Sequence, residues 1–154
     1  MRLQLTKRTD YAIRACLYLA STRRDRPTSS RRIAQTMNIP QRFLPQVLTD
    51  LTHAGIVEAH VGRSGGYRLQ RRPDRLSVLE LIETVEGASR SDSCVLRQQA
   101  CDAGRPCAFH PVWDEAQSAF IRVLATATLD DLVAAEPRQG ALQRTETHSK
   151  GNWS

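Results

Sequence analysis

The sequence predicts a mainly α-helical fold, a winged helix-turn-helix domain followed by a long C-terminal helix. The apolar pattern follows the order helix, short helix, turn, helix and β-hairpin. The hairpin ends in a glycine-rich turn. Lys and Arg outnumber Asp and Glu by 15 to 5 in residues 1–75, but are outnumbered 7 to 11 in residues 76–154. This concentration of positive charge in the first half indicates a nucleic-acid-binding module.

The helix-turn-helix is predicted from three apolar patterns. A first helix spans residues 6–21, and Thr28 or Ser29 caps a short second helix. The third helix ends near His53, with Gly55 as a left-handed residue behind it and with Phe43 among its inner side chains. Pro45 fits this helix in one of two ways. Either the helix starts near residue 42 and holds the proline in its first turn, or the helix is kinked.

The remaining elements follow from turn and capping signals. A hairpin of residues 56–60 and 67–69 flanks the turn 62–66, and Ser77 with Glu80 forms a capping box for a fourth helix. A long helix with an apolar stripe precedes a short helix capped by Thr128. We therefore expect a DNA-binding domain over residues 1–75, a cysteine loop with the C-terminal helices over 76–135 and a disordered tail over 136–154.

Several functional classes are disfavoured by composition. No run approaches the roughly 18 apolar residues of a membrane span, and the first residues carry no apolar export signal. A cytoplasmic protein without membrane association is therefore expected. No nucleotide-binding glycine loop, paired carboxylates or Ser/His/Asp set with a defensible geometry occurs, so an enzyme is not expected.

The third helix is expected to enter the DNA major groove, because this is how the second helix of a helix-turn-helix pair docks. Gln side chains pair with adenine edges, and Arg pairs with guanine or phosphate. An arginine on a glycine-rich wing tip can enter a minor groove. The predicted DNA contacts are Gln41, Arg42 and Gln46 from the third helix, Ser29, Ser30, Arg31 and Arg32 from the second, and Arg63 from the wing.

Three of the four cysteines lie within 14 residues of one another. Cys94, Cys101 and Cys107 are separated by six and five residues, and such clustering in a reducing compartment favours metal ligands or redox groups over disulfides. Cys16 falls inside the first helix's apolar pattern and is expected to be a core residue.

A fourth ligand is needed, since iron–sulfur clusters usually take four. His110 lies three residues beyond the last cysteine, and Asp10 could approach in the fold or from a second subunit. Each also has a structural explanation, because Asp10 has Arg14 four residues on, as in an ordinary surface pair, and His110 could simply cap the long helix. Spacing alone leaves structural zinc and a metal-free thiol switch open beside an iron–sulfur cluster.

Five segments resemble the NsrR/IscR family of iron–sulfur transcription regulators. The resemblance covers about residues 1–135 and implies a homodimer built on the long helix, one cluster per subunit and a palindromic DNA operator. Each segment is weak alone, but five in the same order are specific. They are residues 5–15 (LTKRTDYAIRA), 53–57 (HAGIV), the wing 62–69 (GRSGGYRL), the three-cysteine loop and 129–133 (LDDLV).

The first of these segments is most similar to the nitric-oxide-sensing NsrR branch. The resemblance implies Asp10 as fourth ligand of a 4Fe–4S cluster, reaching from the partner subunit, and this is our preferred assignment. The IscR branch implies His110 and a 2Fe–2S cluster instead. Two positions depart from the family pattern, because Val61 stands where an arginine often precedes the first wing glycine and Pro45 replaces a base-discriminating residue.

The sequence thus predicts a repressor that senses nitric oxide, oxidation or iron loss through cluster damage. The alternatives are a 2Fe–2S regulator of cluster biogenesis and a zinc-stabilised DNA-binding protein that senses nothing. An iron–sulfur redox enzyme or electron carrier is disfavoured, because no glycine-rich nucleotide loop or second cofactor motif occurs and a basic half is unusual for an electron carrier.

Overall fold

The computed structural model describes residues 5–22, 26–88 and 107–136. It is mainly helical with one two-stranded sheet, as the sequence predicts. In chain order the elements are α1 (Lys7–Ser21), α2 (Ser30–Thr36), α3 (Leu44–His53), β1 (Val57–His60), β2 (Gly66–Leu69), a 3-10 turn (Pro73–Arg75), α4 (Val78–Glu86), α5 (His110–Thr126) and α6 (Leu129–Ala135).

The helix α1 lies at the centre of the molecule. Thr6 caps it by accepting a hydrogen bond from the backbone N–H of Thr9 at 3.2 Å. Its inner face contacts α2, α3, α4 and α6, and seven of its 15 residues are buried. Cys16 is among them, fully buried as expected, and burial raises the pKa of its thiol to about 12.

The helix-turn-helix turn settles how Pro45 is accommodated. Helix α3 begins at Leu44, so the proline sits in the first turn, where its missing N–H would have no partner within the helix. Gln41 and Arg42 consequently lie in the turn before the helix rather than inside it. The expectation that Phe43 points inward is wrong, because its ring is 44% exposed just ahead of the first helical residue.

The wing is an antiparallel hairpin that is extended by one residue of the preceding loop. Val57 pairs with Leu69 and His60 with Gly66, and the backbone of Thr28 forms a further bridge to Tyr67. Gly66 has φ 153°, and a Cβ there would lie 2.5 Å from the Thr28 backbone. The wing therefore docks against the start of α2 through a contact that only glycine permits.

The C-terminal elements return to the same core. Ser77 caps α4 by accepting from the Glu80 N–H, but the Glu80 carboxylate accepts from Arg71, so only the serine half of the predicted capping box is confirmed. A reciprocal box forms instead at Thr128 and Asp131, at the start of α6. Leu129 is fully buried in the cluster that α1 and α3 also build.

Helix α5 differs from the others because none of its residues is buried. It contacts α4, while Phe109, just before it, and Val112, Phe120 and Val123 remain 42% to 64% exposed. These four positions, with Ala116, fall within one stripe at helical spacing; we call them the outer stripe. Among the described residues, no helix is both long and apolar enough to cross a membrane.

Candidate functional site

Of the eight side chains predicted as DNA contacts, seven are exposed, and Ser30 is partly buried. The helix-turn-helix fold brings them to three places: the first turn of α2, the segment that opens α3, and the wing. Exposure leaves these groups available to a ligand. The seven exposed residues are Ser29, Arg31, Arg32, Gln41, Arg42, Gln46 and Arg63.

The electrostatic environment separates these arginines from others in the basic half. Arg8, Arg14, Arg68, Arg71 and Arg72 each form an ion pair with an aspartate or glutamate. The hydrogen bond from Arg68 lowers the pKa of Glu58, and that from Arg72 lowers the pKa of Asp74, as expected for carboxylates beside guanidinium groups.

The predicted contact arginines have no such neutralising partner. Within residues 5–22, 26–88 and 107–136, no carboxylate pairs with Arg31, Arg32 or Arg63. An arginine without a carboxylate partner among the described residues has its guanidinium available to hydrogen-bond a phosphate.

A concave surface lies between α2 and α3. Its volume is about 220 Å³, and Ser30, Arg31, Ala34, Gln41 and Leu44 line it. The arrangement combines an apolar floor with a cation and hydrogen-bonding groups. The polar residues that the sequence assigns to separate helices therefore share one surface, next to the start of α3.

The wing tip presents Arg63 on a tight glycine turn. The N–H of Gly65 donates to the Gly62 carbonyl at 3.0 Å, and a Cβ on Gly65 would come within 2.3 Å of the His60 carbonyl oxygen. The turn thus requires glycine, and this fixes the exposed arginine at the end of the hairpin.

Arg14 is a residue whose role the sequence does not reveal. The Asp10–Arg14 pair expected from spacing is present, with two contacts of 2.9 Å, but the Arg14 side chain is only 9% exposed. Its third nitrogen donates to the Met37 carbonyl oxygen at 3.4 Å, at the end of α2. Arg14 therefore connects a candidate metal ligand to the helix-turn-helix turn, which an exposed pair would not do.

The C-terminal end of α4 is fastened to the first turn of α1. The Glu86 carboxylate accepts from the backbone N–H of Thr6 at 2.9 Å and from the buried Thr9 hydroxyl. The hydrogen bond from Thr9, and to a lesser extent that from Thr6, lowers the pKa of Glu86. The chain therefore leaves α4 next to the turn of α1 that carries Asp10.

The described part of the predicted cysteine site is its last ligand and the start of α5. Cys107 is partly exposed with a free thiol, and its carbonyl oxygen accepts the His110 N–H at 3.0 Å. The Phe109 and Trp113 rings stack beside it, with centroids 6.4 Å apart. Cys94 and Cys101 lie outside the described residues. Within the described ranges, no three His, Cys, Asp or Glu side chains are placed to hold a metal ion.

The paired helices and the wing define a protein of the winged helix-turn-helix class. A sequence profile described as an iron-dependent transcriptional regulator, Rrf2, matches residues 5–135. The chain belongs to the Rrf2 family of transcriptional regulators.

Individual relatives agree with this assignment over most of the chain. The transcriptional regulator NsrR of Halalkalibacterium halodurans is 33% identical, with 91% of this chain and 97% of the relative aligned. The transcriptional repressor NsrR of Streptomyces coelicolor is 35% identical over 86% and 90%. The solved structure of CymR, the global cysteine regulator of B. subtilis, superposes with TM-score 0.77 at 27% identity, covering 88% of this chain and 100% of that one.

Proposed function

We propose that this regulator is a DNA-binding repressor whose affinity for its operator depends on an iron–sulfur cluster bound by Cys94, Cys101, Cys107 and Asp10. The observation that carries the proposal is the contact chain from Asp10 through Arg14 to the Met37 carbonyl. It links a candidate cluster ligand to the turn that sets the angle between α2 and α3. A change at Asp10 can thereby reach the DNA-binding surface.

The donor atoms present fit such a cluster in kind. Cys107 offers an accessible thiol, and Asp10 offers a carboxylate whose side chain is 33% exposed. Cys16 does not qualify, since burial keeps its thiol protonated. When bound, a cluster supplies a centre that reacts with nitric oxide and oxidants, as the resemblance to the NsrR branch implies.

The chain's own part in switching rests on Asp10. Its carboxylate can either be a ligand or form the bidentate pair with Arg14, because both oxygens are used in that pair. Arg14 is buried and needs a carboxylate or carbonyl acceptor in either state, since an unpaired buried charge is costly. Release of Asp10 therefore shifts the equilibrium between two arrangements of Arg14 and the turn it contacts.

The proposal includes a homodimer on a palindromic operator. Two copies of α5 packed along the outer stripe would bury apolar side chains that one chain leaves exposed. A twofold dimer presents two α3 helices, and operator half-sites are then expected about 34–36 Å apart, or a multiple of that. The domain boundary near residue 75 remains part of this proposal.

The test is anaerobic purification followed by absorption and Mössbauer spectroscopy and by DNA binding. The probe is a duplex selected from a random pool by the anaerobic protein. We expect iron and sulfide, specific binding, and loss of at least about tenfold in affinity after nitric oxide, a typical size for allosteric coupling. Iron-free protein with stoichiometric zinc, or unchanged affinity after cluster destruction, would contradict the proposal.

The fourth ligand is tested by a matched pair of variants. Asp10→Ala should weaken the cluster or change its spectrum, whereas Asp130→Ala, which removes an exposed carboxylate on α6, should not. A second candidate, a 2Fe–2S regulator, is favoured by His110, whose backbone lies one turn from Cys107. That candidate predicts that His110→Ala alters the spectrum and Asp10→Ala does not.

A further inference from the structure

The contacts between α1 and α3 point to a residue that controls how the DNA sequence is read. Asp50 lies on α3, one helical turn after Gln46, and its side chain is 17% exposed. One carboxylate oxygen accepts from the Gln46 amide nitrogen at 3.2 Å. The other accepts from the Arg8 guanidinium at the start of α1. Asp50 therefore joins a predicted base-contacting side chain to the central helix.

This contact fixes which end of the Gln46 amide faces outward. A carboxylate only accepts hydrogen bonds, so the amide must turn its nitrogen toward Asp50. The amide oxygen is then left for the solvent-facing side of α3. An untethered glutamine can present either end, as an acceptor or as a donor, and discriminates between bases less well.

We propose that Asp50 is a positioning residue that holds Gln46 with its amide oxygen toward the DNA major groove. Gln46 then favours a base with an exocyclic amino group at one position of each half-site: adenine through N6 or cytosine through N4. Arg8 keeps Asp50 in place from α1. The inference rests on the proposed DNA-binding function and adds the chemical class of base that Gln46 reads.

The ion pair between Arg8 and Asp50 also changes the charge that α3 presents to DNA. An aspartate on the recognition helix would repel DNA phosphates if its charge were uncompensated. Arg8 neutralises it, so the carboxylate can orient Gln46 without an electrostatic penalty for binding.

The experiment measures base preference rather than affinity alone. The anaerobic full-length protein and its variants are equilibrated with a duplex pool that is randomised through one half-site, at one fixed salt concentration, and the bound fraction is sequenced. The variants are Asp50→Ala, Gln46→Ala, the double variant, and Arg8→Lys. Asp74→Ala is the matched control, because Asp74 also pairs with an arginine but lies in the 3-10 turn, away from α3.

We expect the wild type to prefer adenine or cytosine at one position by about tenfold, the size of one good base contact. Asp50→Ala and Gln46→Ala should each abolish that preference, and the double variant should lose no more than either single one. Arg8→Lys should retain it, and Asp74→Ala should match the wild type.

Two negative results have different meanings. A wild type with no sequence preference at any position overturns the proposed function, and this inference with it. A wild type with preference that Asp50→Ala leaves unchanged overturns only the role of Asp50. Asp50→Ala protein that is less stable to urea but keeps the wild-type base profile also overturns only that role, because a purely structural contact would act on folding alone.

Discussion

Helices α1 and α5 are of similar length but have opposite surroundings. Helix α1 has seven buried residues among 15, whereas α5 has none among 17. Both carry apolar residues at helical spacing, so amphipathicity alone does not distinguish them. The difference lies in what covers the apolar face. Four helices of the same chain surround α1, while α5 touches α4 on one side and leaves its outer stripe exposed.

Helix α1 is covered within one chain, whereas one chain leaves the outer stripe of α5 exposed. In α1, the side chains that hydrogen-bond to α4, α3 and the end of α2 are Thr9, Arg8 and Arg14, which lie in its N-terminal half. In α5, the residues before the helix include the predicted ligand Cys107. The proposed ligands Asp10 and Cys107 therefore belong to segments that differ in how much of their surface the described chain covers.

The largest difference is expected between the reactivities of two thiols, that of Cys16 in α1 and that of Cys107, which precedes α5. Cys16 lies inside α1 with its pKa raised to about 12, whereas Cys107 is partly exposed just before α5. In iron-free protein, iodoacetamide at pH 8 should label Cys107, and label Cys16 slower by a factor of about 10³ or more, because access to Cys16 requires unfolding. Peptide mass spectrometry measures both rates.

Labelling in urea is the control for this contrast. Once the chain is unfolded, Cys16 and Cys107 should react at similar rates. Fast labelling of Cys16 in the native protein would mean that α1 opens without unfolding of the rest of the chain.

Truncation of the α1 core should produce the next largest effect. Leu19 is 2% exposed, and Leu19→Ala is expected to lower the free energy of unfolding by about 2–5 kcal/mol, through lost burial and the cavity left behind. Urea denaturation at fixed protein concentration measures it. Val123→Ala on the outer stripe is the comparison. In dilute protein it should change the free energy of unfolding by less than about 1 kcal/mol. Equal losses would remove the distinction between the two helices.

Most helix and strand boundaries could be predicted from the sequence, because capping and turn residues act within short segments. The caps at Ser29, Ser77 and Thr128, and the first-turn proline of α3, are backbone requirements that short segments reveal. Periodicity does not predict the exposure of Phe43. It assigns each residue to a face of the helix, but it does not locate the first residue of the helix. Helix α3 starts one residue later.

The candidate site is less accessible to sequence reasoning, because its contacts join distant segments. Spacing identifies the Asp10–Arg14 pair but not the burial of Arg14 or its bond to Met37, 23 residues away. The bonds from Asp50 to Arg8 and from Glu86 to Thr9 span 42 and 77 residues. Such pairs depend on how the helices pack against one another. Composition and periodicity describe local segments and therefore do not predict these contacts.

Charges placed on the outer stripe test whether α5 needs a partner. Val112→Asp with Val123→Asp should raise the Kd of self-association by about a hundredfold or more, because a carboxylate buried in an apolar interface is costly. Sedimentation equilibrium should then show a mass near 17.3 kDa at concentrations where the wild type is dimeric. Ala125→Asp is the control, since this exposed residue lies on another face of α5. A dimer that survives the double substitution would place the interface elsewhere.

The smallest effect concerns the bond between α4 and α1. Since the folded pKa of Glu86 is below its ordinary 4.5, its contribution to stability is present above pH 4.5 and is lost as the pH falls through the folded value. Glu86→Gln keeps the acceptor but removes the charge, and at pH 7 it should cost about 1 kcal/mol or less, because the group is solvent-exposed. Urea titrations from pH 7 to pH 3 should show the difference between wild type and variant shrinking toward zero. A constant difference for Glu86→Gln would mean that the charge plays no part in holding α4 against α1.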